Sequence, residues 1–389
     1  MTDFDKLIDR RSTLSCKWNV GENELPMWIA DMDFEAPDAI KRALHDVVDS
    51  GVYGYTYIPD EFFRSISDFY ARRHGAPINT EHMIYSNGAV AAVSSMVRRL
   101  SSEGDNVLLQ APVYNIFFNS IVNNHRKVLS SDLIYADGKF EVDFADLEKK
   151  LSRPETTLMI VCNPHNPVGK IWSKDELSRI AELCHKHGVS IIADEVHAEF
   201  VKSGCHYTPF YTVSELAASI SATIISPSKT FNAAGFQTAT LVVPNDELRY
   251  KIWRGLNDDE IGEPNVFAMK ACIAAFNECE WWVDDVVSYI FDNRRAACEY
   301  IKENIPALSV PDAESTYLLW VDISGVSDDS VEFCRRLREL TGLYISNGKA
   351  YGECANRFVR INLATQRSRV MDGMERLRRG VEAILAERA

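Results

Sequence analysis

The sequence predicts an α/β fold: a large domain built on a mostly parallel sheet flanked by helices, with a smaller α+β domain at the C-terminal end. Three observations lead there. Apolar runs of strand length alternate with helical patterns through the middle of the 389-residue chain. Those runs are nearly continuous in apolar content, as in strands covered on both faces. Beyond residue 285 the pattern changes to strand, helix, strand, helix.

Taken in order, "NVLLQA" (106–111), "TLMIVC" (157–162), "VSIIA" (189–193), "ATIIS" (222–226) and "ATLVV" (239–243) are predicted strands. A helix lies between the second and third. Ser173 and Glu176 in "SKDE" match a capping box, and Gly188 supplies the stop after "LCHKH". Residues 157–193 therefore form a β-loop-α-β unit, which builds a parallel sheet through a right-handed crossover. "WWVDDVVSYIFDNRRAACEYIKEN" (281–304) is a long helix with Pro306 just beyond it. "TYLLWVDI" (316–323), "DSVEFCRRLREL" (329–340) and "RFVRINL" (357–363) follow as strand, helix and strand, and "RVMDGMERLRRGVEAILAE" closes the chain as a helix. The domains expected are an N-terminal arm over 1–45 packing on the small domain, a large domain over 46–285 and a small domain over 286–389.

Composition narrows the function. Hydrophobic content of 46% and charged content of 25% are ordinary for a globular protein. A net charge of −14 argues against nucleic acid or an anionic membrane as partner. No run approaches the length of a membrane span, and "MTDFDKLIDRRS" does not have the form of a secretory signal. Nine cysteines are scattered singly, with no C-x-x-C pair. That suits reduced thiols in a cytoplasm better than disulfides or a zinc site. No metal is expected: the two histidines of "CHKH" (184–187) do not share a helix face.

Chemistry gathers at the strand ends. In an open parallel sheet, ligands bind beyond the carboxyl ends of the strands. "TLMIVC" runs into Asn163 and then Asn166, "VSIIA" into Asp194 and His197, and "ATIIS" into "PSK" with Lys229. An amine beside a carboxylate, an amide and small hydroxyls suits a Schiff base with an aldehyde cofactor, of which pyridoxal 5'-phosphate (PLP) is the common case. Asp194 is placed to hold the pyridine nitrogen protonated. Asn166 and His197 are placed for the ring oxygen, and Ser226 and Ser228 for the phosphate. In "SNGAVAAVSSMVRRL" (86–100) a glycine turn enters a helix, so Gly88, Ala89 and Val90 can present backbone N–H groups to an anion. Tyr114, in "APVY", is placed to stack on the ring.

From "HNPVG" through "DEVH" to "SPSKTFN", with "FVRIN" later, the sequence resembles fold-type I PLP-dependent enzymes of the aminotransferase class I/II superfamily. Within them it resembles the MalY/PatB-type cystathionine β-lyases, on "DRRSTLSCKWN" (9–19), "LPMWIADMDF" (25–34), "YGYT" (53–56), "CNPHNPVGKIWS" (162–173), "ADEVHAEF" (193–200) and "SKTFNAAG" (228–235). The resemblance implies the fold-type I transferase fold. It also implies α,β-elimination from cystathionine or cysteine S-conjugates, giving a thiol, pyruvate and ammonia. Lys229 would be the Schiff-base lysine, Asp194 the ring-nitrogen partner and Tyr114 the stacking ring. Tyr55 would reach the phosphate of a neighbouring subunit, which implies a homodimer. Arg360 would clamp the substrate carboxylate, a task that suits a guanidinium fork. Strand alternation places Arg357 on the opposite face. "INLATQRS" (361–368) departs from this branch, which often has a cysteine–proline pair there; the departure is expected to bear on the substrate mouth and not on the cofactor set. The rival readings are a PLP-dependent aminotransferase and a regulatory binding protein on the same scaffold.

Overall fold

The five apolar runs become the strands Asn106–Leu109, Thr156–Cys162, Ser190–Asp194, Ser221–Ile225 and Ala239–Val242 in the computed structural model, which describes residues 2–387. Two more strands, Met83–Ser86 and Lys127–Ser130, complete a seven-stranded sheet. The sequence pattern predicts neither. "MIYS" is only four residues long, and "KVLS" forms an edge strand that stays partly exposed, so its apolar content is low. Ala239–Val242 is also the one strand antiparallel to its neighbours, Met83–Ser86 and Ser221–Ile225. The other six all point one way, so their carboxyl ends share one edge.

The helix between the second and third predicted strands spans Lys174–Lys186. Ser173 accepts from the Glu176 N–H at 3.1 Å, and Glu176 accepts from the Ser173 N–H at 2.8 Å, so two orphan donors are satisfied reciprocally. Leu177, Ile180, Ala181 and Cys184 form its buried stripe against the sheet.

Glu280–Asn304 is one unbroken helix that runs through position 285/286 and buries Trp282, Val286, Ile290, Ala297 and Ile301. Beyond it, Leu318–Asp322, Phe358–Asn362 and Ser346–Asn347 form a three-stranded antiparallel sheet covered by the helices Ser330–Thr341 and Arg367–Ala386. Among the described residues, no helix is long and apolar enough to cross a membrane.

The N-terminal segment is tied to both parts. Leu25–Pro26 pairs with Leu343–Tyr344, and Asn362 Nδ2 donates to the carbonyls of Ile29 and Asp31, both at 2.6 Å. Asn232, three residues after Lys229, holds Met32 and Phe34 through three hydrogen bonds. The buried Asp33 accepts from Lys17 Nζ (2.8 Å), Trp18 Nε1 (2.7 Å) and Arg10 Nη1 (2.7 Å). Burial alone would raise its pKa, but these donors outweigh it and hold the carboxyl at about 2. The helix Asp38–Ser50 packs instead against Val266–Glu278, on the large-sheet side. In the departing stretch, Thr365 and Gln366 are buried, and Gln366 Nε2 donates to the carbonyls of Lys6 and Asp33. The departing stretch therefore anchors the arm.

Candidate active site

Lys229 lies in a helical turn, Pro227–Thr230, straight after the strand Ser221–Ile225. Ser226 caps that turn by accepting from the Ser228 N–H at 3.2 Å, and its hydroxyl donates to the Thr238 carbonyl at 2.7 Å. That donation uses Ser226's only proton. Ser226 thus shapes the lysine turn, and the Ser228 hydroxyl is hydrogen-bonded to it at 2.8 Å. Lys229 Nζ donates to the Ala30 carbonyl at 2.6 Å. Burial pulls its pKa down to about 8. Arg360 pushes the same way, while Asp31 and Asp194 oppose.

Asp194 ends the strand Ser190–Asp194 and is buried, its carboxylate accepting from the Val196 N–H at 3.2 Å. Burial raises it to about 6 against the pull of Val196 and Lys229. No ion pair reaches it among the described residues. His197 packs edge-on against the Tyr317 ring at 5.5 Å, and its Nδ1 is buried without a partner. Burial, with Lys229 and Arg360 nearby, holds its pKa well below the usual value, so the imidazole is neutral.

Arg360 is buried on the strand Phe358–Asn362. It donates from Nη2 to the Trp28 carbonyl at 2.7 Å and from Nη1 to Asn166 Oδ1 at 3.4 Å, while Nε is buried and unpartnered. Its guanidinium lies over the Tyr351 ring, 4.9 Å from the centroid. Arg357 faces the other way and pairs with Asp322. Tyr114 has its pKa raised to about 12 by burial, opposed by Arg360 and reinforced by Asp194, so it shares this neighbourhood.

The glycine turn meets the same edge, since Ser86 pairs with Ala239 and Ser226 bonds Thr238. Gly88 has φ +94, ψ 152, a conformation open in practice to glycine alone. Its N–H is occupied by the Ser86 carbonyl at 2.8 Å. The helix Ala89–Leu100 then starts with no side-chain cap, which leaves the N–H groups of Ala89 and Val90 for an anion. Tyr55 stands apart, fully exposed at 110% and outside this cluster.

Three further groups matter that the motifs did not single out. Tyr317 donates to the Ala30 carbonyl at 3.0 Å, sharing Lys229's acceptor, and Trp28 supplies the carbonyl that orients Arg360. Glu195 is buried beside Asp194 and accepts from Tyr207, Asn163 Nδ2 (2.8 Å) and the Phe210 N–H (2.8 Å). Burial raises it to about 8 despite those donors. Tyr317 and Trp28 gave no local signal because their partners are remote in sequence. Glu195 stood in view in "ADEVH", but an acid beside another at a strand end does not reveal which faces the ligand.

Residues 17–377 match the family model described as "Aminotransferase class I and II". The chain belongs to that family. Among family members with curated descriptions, cystathionine beta-lyase PatB of Bacillus subtilis (strain 168) is 36% identical over 382 residues, covering 97% of this chain and 99% of that protein. The crystal structure of cystalysin from Treponema denticola, described as containing a pyridoxal 5'-phosphate cofactor, superposes with a TM-score of 0.95 at 31% identity, covering 98% and 99%. The PLP-bound C-S lyase from Staphylococcus hominis gives 0.92 at 29%, covering 97% and 98%. The residues here fit the chemistry of PLP, an aldehyde on a protonated ring with a phosphate. A buried carboxylate makes no ion pair among the described residues, an amine has its pKa lowered to about 8, two buried nitrogens (His197 Nδ1 and Arg360 Nε) lack partners, and a helix begins uncapped.

Proposed function

We propose that this chain is a PLP-dependent carbon–sulfur β-lyase that cleaves cystathionine and related cysteine S-conjugates. The observation that carries the cofactor reading is the nearness of Lys229, its pKa lowered to about 8, to a buried Asp194 that makes no ion pair among the described residues. The likeness to PatB and to the Staphylococcus hominis C-S lyase supports sulfur as the leaving atom.

PLP, when bound, supplies an aldehyde that captures amino groups and a ring that accepts the electron pair left at Cα. Asp194, ionised at neutral pH, holds the proton on the ring nitrogen. Asn166 and neutral His197 would hold the ring oxygen. Ala89 and Val90 N–H groups and the Ser228 hydroxyl would serve the phosphate, and Tyr114, protonated up to about pH 12, would cover the ring face. Arg360 takes the substrate α-carboxylate, its plane set beforehand by Trp28 and Asn166. Lys229 holds the cofactor at rest. With its amine free, Lys229, its pKa lowered to about 8 by burial, would take the α-proton. The sulfur leaves Cβ with the bonding pair and a proton. With one water, R–S–CH2–CH(NH3+)–COO− becomes R–SH, pyruvate and ammonium.

Tyr55 is useful only if it crosses to another copy, so the working form is a homodimer with a shared site. Nine free thiols suit a reducing cytoplasm. The test is product analysis with cystathionine alone. Homocysteine and pyruvate formed without a keto acid support the proposal, whereas turnover that requires a keto acid and yields a transaminated product overturns it.

A further inference from the structure

A cleft of about 1290 Å³ opens on another part of the molecule, between the segment 198–207, the helix Glu280–Asn304 and the segment 306–313. None of Lys229, Asp194, Tyr114 or Arg360 lines it. Its apolar wall includes Val287, Phe291, Leu308 and Val310. Although the whole chain carries −14, this lining has five Lys or Arg against four Asp or Glu. The acids are mostly spoken for: Glu199 pairs with Arg73 and His74, Asp284 with Arg73, and Asp292 with Arg295.

Arg294 is the unusual group. It is 7% exposed and lines the cleft from the helix Glu280–Asn304. Its Nη2 donates to the carbonyls of Ser315, Thr316 and Leu318, at 3.3, 3.1 and 2.8 Å. Its Nε is buried without a partner, its Nη1 makes no hydrogen bond, and no carboxylate pairs with it among the described residues. Burial pulls its pKa down, opposed by the Cys298 thiol one helical turn on. Carbonyl dipoles satisfy donors but do not neutralise a charge. A buried guanidinium with no counter-ion is costly, and it becomes stable once an anion is brought to it.

We propose that this cleft is a binding site for a small amphipathic anion, whose carboxylate pairs with Arg294 and whose apolar body lies on Val287, Phe291, Leu308 and Val310. Lys202 and Lys302 at the cleft steer the anion in. The proposal does not depend on the lyase chemistry, and its test leaves that chemistry aside.

The probe is decanoate, titrated into the PLP-loaded enzyme by calorimetry, with decanol lacking the charge and acetate lacking the tail. Saturable decanoate binding is expected, with acetate and decanol each weaker by about tenfold or more, as for loss of a charge-assisted contact or of the apolar body. Cys298→Asp places a carboxylate beside Arg294 in the chain itself and should lower decanoate affinity by about tenfold or more. Cys298→Ser, the control for size, should bind as the parent does, as should Arg360→Ala, which excludes the catalytic arginine as the anion's partner. Should Cys298→Asp fail to fold, Lys302→Glu together with Lys202→Glu tests the same charge from the rim. No decanoate binding by the parent overturns the proposal. So does equal binding of decanol, loss of binding in Arg360→Ala, or undiminished binding in the charge-altered variants.

Discussion

Replacing Asp194 by Asn should change stability and activity in opposite directions. In the folded chain without PLP, burial raises the Asp194 carboxyl from the ordinary 3.8 to about 6. A folded state that holds this proton more tightly than the unfolded chain loses stability as pH rises from about 4 to about 6, and the loss is complete above that window. At about 1.4 kcal/mol per pKa unit, the ionised carboxylate costs the cofactor-free protein about 3 kcal/mol at pH 7. Asn has no charge to bury and keeps an oxygen for the Val196 N–H, so Asp194→Asn should stabilise the cofactor-free protein at pH 7 by up to about 3 kcal/mol, and not at pH 3. In the loaded enzyme the same change removes the partner of the ring nitrogen. If that costs about 3–5 kcal/mol, as for breaking a buried pair, turnover falls roughly 10²–10⁴-fold. Urea denaturation at two pH values and a lactate dehydrogenase-coupled pyruvate assay measure the two effects. A variant that is less stable without PLP at pH 7, or that turns over at the parent rate, would refute the role given to this carboxylate.

Arg360→Lys keeps the charge but loses the fork that Trp28 and Asn166 orient, and kcat/KM should fall about 10–100-fold, read by steady-state kinetics on cystathionine. Tyr55→Phe and Lys229→Ala should each be strongly impaired alone, yet mixing the two unfolded variants and refolding them together should restore about a quarter of the sites, because hybrid dimers hold one intact site; no recovery would argue against the crossing tyrosine. Asp33→Asn should destabilise the fold at pH 7 by about 2–3 kcal/mol in urea denaturation, since its carboxyl is held at about 2. That stability is present above about pH 4 and is lost as pH falls through about 2, so the variant and parent should converge in acid.

Much of the large sheet was legible because its central strands are buried on both faces and therefore continuous in apolar residues, as in Thr156–Cys162 and Ser221–Ile225. Lys127–Ser130 was not, because an edge strand need not be apolar. The reversal of Ala239–Val242 was not legible either, since direction leaves no mark on composition. In the site, strand ends pointed to Asp194, Asn166 and Lys229, and strand alternation separated Arg360 from Arg357. The parts out of reach were those made by distant chain: the Ala30 carbonyl is 199 residues from Lys229, and the Trp28 carbonyl 332 from Arg360. The Thr238 carbonyl that Ser226 donates to was equally out of reach, because it lies beyond the lysine turn.

The most direct test of the account is chemical. The purified PLP-loaded protein is reduced with borohydride, digested and mapped by mass spectrometry. The account predicts a stable pyridoxyl-phosphate adduct on the peptide carrying Lys229, absent from Lys229→Ala; an adduct on another lysine, or none at all, would contradict it.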